Sequence, residues 1–182
     1  MSIEASYYRV TPAEFTRLQR DPKAAASFFG TSLEDLDDSA KLLAKMQERE
    51  SSNRYLSIGK DWHAIHFLLT GDGELGEHVT PPPPLGNVVQ GGTETEWECT
   101  YGHVRSLTPD EVREVSEALR QISVEDLRSR FDVSAFRAAD IYPLGSRWTD
   151  DEAESVFEVY PRVVKFFQAA ARDGDMILLS SD

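Results

Sequence analysis

Apolar and polar positions along this chain follow two periods, one near two residues and one near four, and their boundaries fall at readable turn and cap residues. Ala5 to Val10 (Ala-Ser-Tyr-Tyr-Arg-Val) is aromatic and β-branched, as a first strand should be. Thr11, Pro12 and Glu14 then spell a helix start: Thr11 caps, Pro12 takes the first helical position, and Glu14 completes a capping box. Phe15 and Leu18 give that helix a thin apolar stripe. Asp21-Pro22 opens a second short helix ending at Phe28-Phe29-Gly30, with both phenylalanines as core anchors. A third helix over Ser39 to Glu50 turns Leu42, Leu43 and Met46 inward and leaves Lys41, Lys45, Glu48 and Arg49 in water.

Ser51-Ser52-Asn53 breaks that helix, and Tyr55 to Ile58 alternates like a short strand before Gly59. Asp61 to Thr70 follows, with Trp62, Ile65, His66 and Leu69 on one helical face and Phe67 and Leu68 elsewhere. A helix apolar on nearly every side is central and buried, so 61–70 is the expected heart of the fold. Asp61 favours its positive amino end and Gly71 terminates it. Gly71 to Pro84 reads as a loop, its four consecutive prolines forming a stiff surface spacer. Leu85 to Gly92 is a short apolar core between glycines, and the acidic Thr93 to Glu98 reads as another exposed loop.

Thr100 to Leu107 has strand character, and Thr108-Pro109-Asp110-Glu111 repeats the helix-start grammar. Val112, Val115, Leu119 and Ile122 carry an amphipathic helix, Ser123 with Asp126 opens another through Arg130, and Val133 to Ala139 is helical. Ala139 to Pro143 makes a turn or connector. Trp148 to Ala171 repeats at helical spacing through Phe157, Tyr160, Val164 and Phe167, with Pro161 forcing a break or restart. Asp173-Gly174 ends it, and Met176 to Leu179 is a buried last strand. A few strands among many helices predict an α+β fold: a single domain over 1–182 with a small mixed or antiparallel sheet. Irregular strand-to-helix spacing argues against a doubly wound order.

Composition narrows the partners more than the fold. With 182 residues and 40% hydrophobic content the chain can bury one proper core. The 19 Lys+Arg against 32 Asp+Glu give a formal charge of -13, a field that repels phosphate backbones and acidic membranes and favours a basic protein or a cationic ligand. Neither a nucleic-acid nor a membrane partner is expected. Cys99 is the only cysteine, so no intrachain disulfide and no thiolate metal cluster can form. With no leader-like amino end and no apolar run near the roughly 20 residues that span a bilayer, the cytoplasm is the expected compartment.

Chemistry-bearing residues are few and scattered. Asp61, His63 and His66 form Asp-x-His-x-x-His, which lacks the spacing of zinc-protease helices, and no metal or cofactor is expected. His66 reads first as a core histidine held by hydrogen bonds and second as an acid, base or ligand group. Gly86, Gly91 and Gly92 around Asn87 make tight turns or, alternatively, an anion-binding nest. Tyr101, His103 and Arg105 alternate along one strand face, and Asp140 is the expected ion-pair partner of Arg105. Walker, Gly-x-Gly-x-x-Gly and Gly-x-Ser-x-Gly patterns are all missing.

The blocks Leu56-x-Ile58-x-Lys60-x-Trp62-x-x-Ile65-His66-Phe67-Leu68-Leu69-Thr70-Gly71, Pro84-Leu85-Gly86-Asn87 with Gly91-Gly92, Tyr101-Gly102 leading to Leu107-Thr108-Pro109, and Ala139-Asp140-Ile141-Tyr142-Pro143 resemble the YfbM-like family of small bacterial proteins of unknown function. The resemblance covers nearly the whole chain and implies a soluble α+β protein, with no activity, cofactor or catalytic residue to carry over.

Two functional expectations follow. The first is a non-catalytic cytoplasmic binding or interaction protein whose acidic surface meets a basic partner. The second is a small-molecule-binding protein or enzyme with a cleft between the Trp62 helix and the Asn87 to Gly92 loop, where His66, Asn87, Tyr101, Arg105 and Asp140 bind the ligand.

Overall fold

The computed structural model describes residues 2–32, 38–74 and 82–182. Five strands, β1 (Ala5–Val10), β2 (Tyr55–Gly59), β3 (Thr93–Cys99), β4 (Gly102–Leu107) and β5 (Met176–Ser181), form one sheet in the order β2-β1-β5-β4-β3. Every pairing is antiparallel, which resolves the expected mixed or antiparallel sheet. The first and last strands meet at its centre, with Tyr7 opposite Leu179 and Val10 opposite Met176. An uninterrupted run such as Met176 to Leu179 suits a strand covered on both faces. Both faces are indeed covered: Ile177 and Leu179 enter one core, Met176 and Leu178 another.

The larger core packs the sheet against α4 (Trp62–Thr70), α5 (Pro109–Arg120) and α8 (Glu154–Asp173), and Ile65, Val112, Val115, Leu119, Tyr160, Val163 and Phe167 meet Tyr7 and Leu107 there. The short α6 (Val124–Ser129) and α7 (Val133–Ala138) seal its rim with Leu127 and Phe136. On the opposite face α1 (Pro12–Arg20) and α2 (Pro22–Phe29) cover a smaller core of Val10, Leu18, Ala25, Val104 and Leu178. Both Thr-Pro helix starts close as capping boxes, at Thr11 with Glu14 and at Thr108 with Glu111. The architecture is α+β, and α4 is buried on nearly every side as its sequence predicts. Among the described residues no helix is long and apolar enough to cross a membrane.

Four local expectations are corrected. Thr93 to Cys99 is an edge strand: Glu94, Glu96 and Glu98 alternate outward while Thr95, Trp97 and Cys99 turn toward α1 and α2. α8 begins at Glu154, after 3-10 turns at Gly145–Arg147 and Asp151–Ala153, and runs through Pro161 without a break. Packing on both sides of the proline outweighs the one lost backbone bond. In α3 (Ser39–Ser51) no residue is buried; Leu43 is 56% exposed and Met46 37% exposed. The face that α3 lays on the sheet is Leu42, Lys45 and Arg49, so Lys45 and Arg49, both expected in water, turn inward, while Lys41 stays exposed. Finally, Tyr101 falls in the β3–β4 turn rather than in a strand. Most of the proline-rich spacer, residues 75–81, lies outside the described residues.

Candidate functional site

The α4 histidines differ sharply in company. His63 Nδ1 accepts the backbone N–H of Tyr142 at 2.9 Å, which leaves the proton on Nε2, and Nε2 donates to the Gly73 carbonyl at 3.1 Å. The ring is stacked between helix and loop beside Trp62, whose own ring lies 5.6 Å from Tyr142. Burial holds the His63 pKa below the ordinary imidazole value. His66 is fully buried, and among the described residues neither ring nitrogen has a hydrogen-bond partner, contrary to the expected hydrogen-bonded core histidine. Burial, with the neighbouring His63, pushes its pKa down to about 4. A neutral imidazole is therefore enclosed there. His66 borders none of the cavities of about 470, 400, 620 and 680 Å³ that open on the surface.

Asn87 and Arg105 both bond to one turn, Gly91-Gly92. Asn87 Oδ1 accepts the Gly92 N–H at 3.3 Å, while Arg105 donates to the Gly91 carbonyl from Nε and to the Gly92 carbonyl from Nη2, each at 2.9 Å. A Cβ on Gly91 would strike Asn87, and one on Gly92 would lie 2.6 Å from the Ser106 carbonyl. The two glycines make room for this internal knot, and its carbonyls point at Arg105. The third Arg105 contact is Glu94, at 2.8 Å, so the expected Arg105–Asp140 pair is absent. Asp140 instead holds a positive φ of 52° beside Gly145, and its charge acts on His63. Tyr101 stands apart, its backbone N–H bonded to Ser181. Of the five expected ligand residues, Asn87 and Arg105 share a hydrogen-bonding partner, Gly92.

A cleft of different composition lies on the opposite face of the sheet, under α3. One cavity, about 470 Å³, is lined by the cations Arg9, Arg17, Lys45, Arg49 and Arg54 against the carboxylates Glu14 and Glu48, with Ser27 and Ser52 adding hydroxyls. A second, about 400 Å³, has Tyr8, Phe28, Phe29 and Tyr55 as its aromatic lining and Leu42 and Met46 as its α3 side. Phe28, Lys45 and Arg49 border both. Arg49 forms the shared wall: its guanidinium carbon lies 4.1 Å from the Phe28 ring centroid and Nη1 donates to the Phe28 carbonyl at 2.7 Å. Lys45 Nζ donates to Ser27 Oγ at 3.1 Å, and Arg54 to Glu14 at 2.8 Å. The local sequence explains the seating, because Leu42, Lys45 and Arg49 repeat at i, i+3 and i+7 and Leu42 presses on Gly30 at the end of α2.

Residues 1–180 match the family described as Domain of unknown function (DUF1877). The chain belongs to that family. Its fold is similar to the crystal structure of YfbM from Escherichia coli, a protein of unknown function, with a TM-score of 0.60 and 19% identity over 97% of this chain and 98% of that one. No curated protein matches it.

Sequence reasoning on this DUF1877 chain missed the cleft. Tyr8, Phe28, Arg49 and Tyr55 come from four separate segments, and the aromatic residues read equally well as core. The usable signal was the mixed face of α3: Leu42, Lys45, Met46 and Arg49 share one stripe, which suits long cationic side chains whose stems cover apolar surface.

Proposed function

We propose that this chain is a binding protein for a small anion, held in the cationic cavity between α1, α2 and α3. The observation that carries the reading is the gathering of Arg9, Arg17, Lys45, Arg49 and Arg54 around one cavity in a chain of formal charge -13. Like charges brought together repel, and in an acidic protein they are the scarcer kind, so their convergence favours an anion there. Glu14 offsets Arg54, and Asp173 with Asp175 offsets Arg9. An anion with several oxygens would add charge-assisted hydrogen bonds to the contacts these cations already make. A volume of about 470 Å³ suits a small molecule.

Titration calorimetry with inorganic phosphate and pyrophosphate tests it. Saturable binding is expected, weakening as salt rises and falling at least fivefold in Arg49→Met, with Arg17→Gln weaker by less. Absence of saturable binding by either anion, or binding indifferent to both substitutions, rejects the reading.

A further inference from the structure

We infer that the open edge of β3 adds a strand from a basic protein partner: an extended segment in which Lys or Arg alternates with apolar residues. β3 ends the sheet and pairs with β4 alone, and among the described residues no strand lies on its outer side. Cys99 faces Gly102 across the two-residue turn Thr100-Tyr101, which makes theirs a bonded pair. Bonded and non-bonded positions alternate along β4 from there. His103 and Arg105 are therefore non-bonded, and their partners Glu98 and Glu94 turn backbone N–H and C=O away from the sheet. Thr95, in the irregular stretch between them, directs its hydroxyl to the β4 side, donating to the Val104 carbonyl at 2.7 Å and accepting the Trp97 N–H at 3.3 Å.

The surroundings of that edge select the side chains of the added strand. A cavity of about 680 Å³ follows β3 from Glu96 to Thr100, with Leu18, Ala25 and Phe29 of α1 and α2 as its other wall, and it shares no lining residue with the cationic cavity. Trp97 lies 5.6 Å from the Phe15 ring and 5.4 Å from the Phe29 ring, yet it stays half-buried beside this opening. A strand laid along β3 shares its pleat, so one row of its side chains enters the cavity and the other stands beside Glu96 and Glu98. The first row must be apolar. Glu96 and Glu98 are exposed, and among the described residues no cation pairs with either, whereas Glu94 is held by Arg105. Lys or Arg in the second row meets them, drawn in by the chain's formal charge of -13. A second copy of this chain fits badly, because β3 against β3 would set glutamates against glutamates.

The test is fluorescence anisotropy on the full chain at low salt with a labelled peptide as long as β3, Lys-Leu-Lys-Val-Lys-Leu-Lys. Saturable binding is expected. A peptide of the same composition with its lysines clustered, and one with Pro in place of the central Val, should each bind at least about tenfold more weakly, because the first loses the alternation and the second a ladder hydrogen bond. Glu96→Lys with Glu98→Lys, at exposed positions that folding tolerates, should weaken the basic peptide at least about tenfold and gain binding of Glu-Leu-Glu-Val-Glu-Leu-Glu. Amide shifts in the nuclear magnetic resonance spectrum should centre on Thr93 to Thr100. No saturable binding overturns the proposal. So does equal binding of the clustered or proline peptide, which would mean attraction by bulk charge alone, and so do indifference to the charge reversal or shifts centred elsewhere.

Discussion

Arg9 and Asp175 form a buried ion pair where β1 ends and β5 begins: Nη2 and Nε of Arg9 lie 2.8 and 3.0 Å from Asp175 Oδ2, with Arg9 6% and Asp175 3% exposed. Arg9 also reaches Asp173 and the Asn53 carbonyl, so it ties β1 to the start of β5 and to the turn before β2. Removing one partner strands the other charge without water. Arg9→Met should cost about 3–5 kcal/mol in chemical denaturation, whereas Arg9→Met with Asp175→Asn should cost measurably less than the two single changes added. Strict additivity would mean that the two side chains do not depend on each other.

His63 and His66 should respond oppositely to loss of the imidazole. His63→Phe leaves the Tyr142 N–H and the Gly73 carbonyl without partners and should destabilise by about 2 kcal/mol. His66→Leu replaces two buried, unpaired ring nitrogens with a side chain of similar size and should be neutral or stabilising by about 1 kcal/mol. Thermal melts of the two variants decide the matter; a His66→Leu protein that loses several degrees would show that the ring is held by something the fold needs.

The same histidine predicts a pH dependence. In the unfolded chain His66 titrates at its ordinary 6.5, and in the fold at about 4. Between those values the unfolded state holds a proton that the folded state lacks, so stability is complete above 6.5 and is lost as pH falls toward 4. The slope from one such group approaches about 1.4 kcal/mol per pH unit. Burial lowers the His63 pKa as well, so it adds in the same direction. Denaturation curves of the parent and His66→Leu should diverge below pH 6.5; parallel curves would mean that His66 is protonated in the fold.

Local grammar was the legible part of this fold. Thr11 with Glu14 and Thr108 with Glu111 decide helix starts within four residues, and Met176 to Leu179 announces a doubly covered strand by composition alone. Where the outcome depended on a distant partner, the pattern misled. The alternation of Glu94, Glu96 and Glu98 with Thr95, Trp97 and Cys99 marks an edge strand, yet acidity made it resemble a loop. In α3 the inward face follows from the Tyr8 and Phe28 rings that Arg49 covers, and no periodicity within 39–51 contains them. The candidate site was illegible for the same reason: its residues come together only when α3 lies across β1 and α2.

Pro161 offers a last and simple prediction. It stands inside α8, where its missing N–H leaves the Phe157 carbonyl without the usual donor four residues on, and its ring crowds that turn. The helix nevertheless continues, because Phe157 and Tyr160 before it and Val163, Phe166 and Phe167 after it are all anchored in the larger core. Packing has thus fixed a helical backbone at a position whose residue opposes it. Pro161→Ala restores the donor and relieves the crowding, while returning some freedom to the unfolded chain, so the net gain should be about 1 kcal/mol rather than the full helix-interior penalty of about 3. For a chain of this length that raises the melting temperature by roughly 2–4 °C. A lower melting temperature in Pro161→Ala would show that the proline's restriction of the unfolded chain outweighs the restored donor.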